Sequence, residues 1–107
     1  MPDSIGAEED LRLLKAWAEA AHAPSLEALL GRHEALMRRA AGVALGRAGR
    51  MDPGLVDEAV QEARLRLMTA LASFRGEAAP ATFLAAVARR AALDELRKEG
   101  RHRGRML

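Results

Sequence analysis

Apolar residues recur at helical spacing in four segments of the chain, each bounded by residues that start or stop helices. The first segment predicts a helix from about Ala7 to Ala21, with Leu11, Leu14, Trp17, Ala18 and Ala21 on one face and a stop before Pro24. The second predicts a helix from Ser25, an N-cap candidate after Pro24, to about Leu45. Its apolar face is Leu26, Leu29, Leu30, Leu36, Met37, Ala40 and Leu45, and Gly46 and Gly49 end it. Asp52 followed by Pro53 marks the start of the third, because a carboxylate caps free amides and proline is preformed for the first helical position. That helix is expected to reach Ser73, with Phe74, Arg75 and Gly76 opening a loop. The fourth is predicted from near Pro80 to Glu99, ended by Gly100 and followed by a basic tail from Arg101 to Arg105. No stretch alternates with period two, so the expected fold is all-α, a bundle of about four antiparallel helices.

The third helix has two faces. At 100° per residue, Val56, Val60, Ala63, Leu67, Leu71 and Phe74 form a core stripe, while Glu58, Gln61, Leu65, Met68 and Ala72 lie on the far side with Glu62 at the flank. Leu65 and Met68 are out of place on a simple surface helix. Either a partner covers them, or the helix is buried on both sides within the bundle, or they are singly exposed apolar residues of the kind any surface carries.

A chain of 107 residues accommodates one domain, read as residues 1–107, with 1–8 expected to be disordered and 101–107 to form a basic tail. It has no cysteine, which excludes disulfides and thiolate metal sites and fits a reducing cytoplasm. No apolar run is long enough to span a bilayer, and the polar, acidic start is unlike a signal peptide. The net charge of +2 hides an asymmetry: residues 51–62 carry four acids and no base, and residues 86–107 carry seven bases against three acids. The first stretch suits a basic protein surface and the second a polyanion, although charge alone fits two ordinary solvated faces better. Enzyme chemistry finds no foothold. His22, His33 and His102 are scattered without metal-ligand spacing, the serines lack an elbow motif, and Gly42, Gly46 and Gly49 lack the strand-to-helix context of a phosphate loop. No catalytic residue, metal or cofactor is expected.

The run Val56-Asp-Glu-Ala-Val-Gln-Glu-Ala-Arg-Leu-Arg-Leu-Met-Thr-Ala-Leu-Ala-Ser-Phe-Arg-Gly76 resembles region 2.2 of the sigma-70 family. The following Thr82-Phe-Leu84, Ala88-Arg89 and Ala92-Leu-Asp-Glu-Leu-Arg97 resemble regions 2.3 and 2.4 of its extracytoplasmic-function group. With Asp10-Leu-Arg-Leu-Leu14 and Leu26-Glu-Ala-Leu-Leu upstream, the resemblance covers about residues 9–103. It implies the family's helical region 2 fold and a role in transcription initiation without enzymatic activity.

The resemblance also implies partners. The region 2.2 helix of that family docks on the clamp helices of the largest subunit of RNA polymerase, a role that falls by position to Asp57, Glu58, Gln61, Glu62, Leu65 and Met68. Regions 2.3 and 2.4 bind the promoter −10 element, capturing flipped bases of the non-template strand, a role that falls to Thr82, Phe83, Arg89, Arg90, Arg97 and Lys98. The chain departs from the family at Arg64, at Met68 and at Ala85 and Ala86, where aromatic or basic residues are usual. No counterpart of the family's second DNA-binding domain lies within these residues. The alternative implied by the departures is a sigma-like interaction module that binds an anti-sigma factor without opening DNA.

Overall fold

Asp52 starts the third predicted helix by the means its sequence offers. In the computed structural model, which describes residues 4–20, 23–74 and 79–106, Asp52 is extended and its carboxylate accepts a 2.9 Å hydrogen bond from the Gly54 N–H, with Pro53 in the first turn. The preceding helix ends as cleanly. The Arg50 N–H reaches back to the Leu45 carbonyl and the Gly49 N–H to that of Gly46, while Gly49 takes a positive φ of 72°. This is the Schellman arrangement, in which the left-handed residue is best a glycine.

The elements in order are α1 (Ser4–Ala20), α2 (Ala23–Arg32), α3 (Glu34–Arg47), α4 (Pro53–Ala70), a 3₁₀ turn over Leu71–Ser73, and α5 (Pro80–Met106). The all-α expectation holds, with no strand among the described residues. Helix α5 lies along both α3 and α4, while α1 packs mainly on α2. The core has two textures. Buried leucines Leu13, Leu14, Leu26, Leu29 and Leu30 join α1 to α2, whereas Ala41, Ala44, Ala59, Ala63, Ala88, Ala91 and Ala92 are buried where α3, α4 and α5 meet. Single methyl groups at these positions let three helices approach closely, and Met37, Leu45, Val60, Leu67, Leu71 and Leu84 fill the remaining volume.

Four features differ from the pattern reading. The second predicted helix is two, broken at His33 (φ −117°, ψ 15°). The cause is Asp10 of α1, only 4% exposed, whose carboxylate holds His33 Nε2 at 2.7 Å and Arg32 Nε at 2.9 Å. Consecutive side chains on an unbroken helix diverge by about 100°, so bringing both onto one carboxylate favours a turn. Because Asp10 must face that junction, α1 buries Leu13 and Leu14 with Trp17 beside them, and leaves Leu11 half-exposed and Ala18 exposed. Ala21, also assigned to that face, lies outside the described residues. Ser25 is buried inside α2 and does not cap it, since the helix begins at Ala23. Both ends of the chain carry more helix than expected. Arg32 also donates to the Gly6 carbonyl, so α1 already runs from Ser4, and Gly100 takes no left-handed turn, so α5 continues through the basic segment to Met106.

Two outcomes are expected from this packing. Leu67 is wholly buried and Leu65 is 62% exposed, so Leu67→Glu is expected to destabilise the domain by several kcal/mol, enough to unfold it, whereas Leu65→Glu changes stability by under about 0.5 kcal/mol. Thermal melting followed by circular dichroism separates them; equal losses would mean that the outer face of α4 is internal packing. Asp10→Ala removes two charge-assisted bonds and is expected to cost about 2 kcal/mol, mostly at His33 because Arg32 stays open to water. An unchanged urea midpoint would rule out the Asp10 junction as a stabilising contact.

Candidate protein and nucleic-acid interfaces

Helix α4 buries Ala59, Val60, Ala63 and Leu67 and turns Asp57, Glu58, Gln61, Leu65 and Met68 to solvent. Met68 is 50% exposed beside Leu65. These two are not isolated. With Trp17, Leu26 and Leu30 they line a mainly apolar groove of about 280 Å³ between α4 and the α1–α2 pair, with Gln61 and Arg64 at its edge. Trp17, Leu26 and Leu30 were legible only as core residues, since their outward edges depend on how α1 and α2 lean on α4.

A polar groove of about 420 Å³ adjoins it, lined by Glu34, Arg38, Asp57, Val60, Gln61 and Arg64. Its charges are linked in series: Asp57 to Arg38 at 2.7 Å, Arg38 to Glu34 at 3.9 Å, and Glu34 to Arg64 at 2.8 Å. Arg38 donates to the Asp57 carboxylate, and this bond holds its guanidinium above the ordinary pKa against an opposing cost of desolvation. Asp57 is therefore engaged with its own fold, and Arg64 has become a tie between α3 and α4. Glu62 stands apart from the other acids. It lies on the α5 side of the helix and bonds Arg66 at 3.2 Å.

On α5 the basic residues divide among three directions. Arg90 and Arg97 share one exposed stripe with Asp94, which lies 3.6 Å from Arg90 and 3.0 Å from Arg97. Arg66 reaches the same carboxylate from α4 at 2.8 Å. That hydrogen bond is the chief reason the Asp94 pKa lies below its usual value and the Arg66 pKa above its own. Arg89 is exposed with Thr82 on a second face about 90° from the Arg90–Arg97 stripe, and it has no ion-pair partner among the described residues. Lys98 lies on the opposite flank, 3.1 Å from the nearly buried Glu95. Phe83 is half-buried, its ring 5.1 Å from that of Phe74 and tilted by 53°. Thus Phe83, Arg90 and Arg97 are brought onto one side, while Thr82, Arg89 and Lys98 are not. Arg66 and Asp94 belong to the same cluster, and the sequence carried no signal for a contact between residues 28 positions apart on different helices.

Residues 32–102 match the family model described as Sigma-70 region 2, a span that includes α3, α4 and most of α5. Neither the curated proteins nor the solved structures contain a match. The match takes in most of the chain, with the outer face of α4 and the basic side of α5, on a fold whose described elements are all helical, and on these grounds the chain belongs to the sigma-70 family as a region 2 domain.

Proposed function

We propose that this domain docks on the core RNA polymerase through the outer face of α4 and binds the −10 promoter strand along α5, opening DNA at the start of transcription in the cytoplasm. The extracytoplasmic-function group is the proposed subgroup, on the motifs of residues 82–97. The observation that carries the reading is the exposure of Leu65 and Met68 beside Gln61 on a helix whose opposite side is fully buried. Water-exposed apolar side chains next to a groove are the anchors a partner helix would bury. Glu58 and Gln61 give the rim polar groups suited to a basic partner surface, and Asp57 contributes from its pair with Arg38.

On the DNA side, Phe83 backed by Phe74 offers an aromatic surface for an unstacked base, and Arg90 and Arg97 lie along the same side to hold phosphates. One observation favours the second reading, a module that engages an anti-sigma factor and leaves DNA closed. Arg90, Arg97 and Lys98 each already face a carboxylate of their own helix, and Ala85 and Ala86 add neither charge nor an aromatic ring.

Two measurements test these roles. Leu65→Glu combined with Gln61→Ala is expected to abolish pull-down of a polymerase clamp-helix fragment while the melting temperature stays within a few degrees, because a charge then sits at the centre of the contact. Retained pull-down would remove α4 from the interface. Binding of the domain to single-stranded −10 DNA is expected to weaken with salt at a log–log slope of about −3, for roughly four phosphate contacts. Binding indifferent to salt, or none even at low salt, would favour the anti-sigma reading.

A further inference from the structure

Asp94 gathers three guanidinium groups from two helices. Arg66 of α4 approaches one of its oxygens at 2.8 Å, and Arg97 and Arg90 of α5 approach the other at 3.0 and 3.6 Å. Arg90 and Arg97 remain 62% and 56% exposed, and Arg66 is about one-third exposed. Three guanidinium groups present more N–H donors than two carboxylate oxygens can accept, and the surplus faces water. Even with Glu62 on Arg66, three cations stand against two anions, a net positive charge that one phosphodiester would neutralise. Planar forks converging from two helices also match the geometry by which arginine binds phosphate.

We propose that Arg66, Arg90 and Arg97 form one nucleic-acid phosphate site, and that Asp94 is its built-in competitor, occupying the guanidinium forks until a phosphate displaces it. This rests on the DNA-binding reading above and adds two things to it: a contact residue on α4, the helix otherwise assigned to the polymerase, and a carboxylate that limits affinity. Asp94 keeps the three arginines converged without DNA, so the side chains are ordered before a strand arrives. Displacing it costs Coulomb energy, which holds contact with stray polyanions weak. A strand also anchored elsewhere, by the Phe83 ring for example, can meet that cost.

The test uses the whole chain and a fluorescent single-stranded oligonucleotide of −10 sequence, with thermal melting of every variant. Asp94→Asn keeps the size of the side chain and removes its charge. It is expected to bind roughly threefold to tenfold more tightly at low salt, with a salt slope steeper by about 0.7 for each phosphate gained. Glu19→Gln, an equal change of net charge on α1, is expected to leave binding within about twofold. Arg66→Gln is expected to weaken binding roughly tenfold, by losing a charge-assisted contact. If Asp94→Asn binds no better than the unsubstituted chain, or Arg66→Gln binds as well, while Arg90→Ala and Arg97→Ala weaken binding, the inference is overturned and the DNA-binding reading stands. If Arg90→Ala and Arg97→Ala also have no effect, the DNA-binding reading fails and takes the inference with it. Should Asp94→Asn unfold, the Arg66→Gln result decides alone, since that variant leaves the carboxylate in place.

Discussion

The close approach of α5 to both α3 and α4, through side chains no larger than a methyl group at Ala41, Ala59, Ala63, Ala88, Ala91 and Ala92, is the constraint on which the other features of the domain depend. Alanine contributes little apolar area of its own but brings backbones near enough for their larger neighbours to interdigitate. A leucine at any of these positions would push a helix outward and disturb every contact along it. The rotation of α4 follows from this seam, because Ala59 and Ala63 must face inward with Val60 and Leu67. Leu65 and Met68 are then left on the far side, largely exposed at the edge of the groove against α1 and α2.

Electrostatics fixes what the seam leaves free. Carboxylates join helices that apolar packing alone would allow to slide. Asp10 ties α1 to the turn at His33, Glu34 of α3 and Asp57 of α4 tie those two helices through Arg64 and Arg38, and Asp94 ties α5 to Arg66 of α4. All of them use arginine, whose guanidinium bonds several oxygens at once without losing its charge. The ties differ in depth. Asp10 is nearly dry and acts on the fold, whereas the pairs of Glu34 and Asp94 stay open to solvent, contribute modestly to stability, and bear mainly on surface charge. The same grouping of charge divides the domain's surface. The acid-rich start of α4 leads to the apolar groove, and the basic residues lie along α5.

On the proposed reading, this division lets one small bundle offer one surface to a protein and another to nucleic acid on adjacent helices. Departures from the family pattern have local explanations in the packing. Arg64 stands where an aromatic is usual, and its charge is taken up by Glu34. Met68 keeps the apolar character of the groove with a flexible, polarisable side chain. Nothing in the structure explains Ala85 and Ala86.

What the sequence determined by itself was local or periodic. The Asp52–Pro53 start, the Gly49 stop, the core stripe from Val60 to Leu71 and the outward position of Leu65 and Met68 each follow from interactions within a few residues or from the helical repeat, and each is found in the structure. Which family the chain belongs to was legible for a related reason, since motifs of that kind are ordered along one helix after another. What only the tertiary structure decided involves residues distant in the chain. Asp10 breaks a helix more than twenty positions away, Arg32 anchors the first turn of α1, and Asp94 draws Arg66 to the basic stripe while Arg89 and Lys98 point elsewhere. A carboxylate has no periodicity, and its partner depends on which helix lies beside it. That neighbour is set by how closely the alanine seam lets the helices approach.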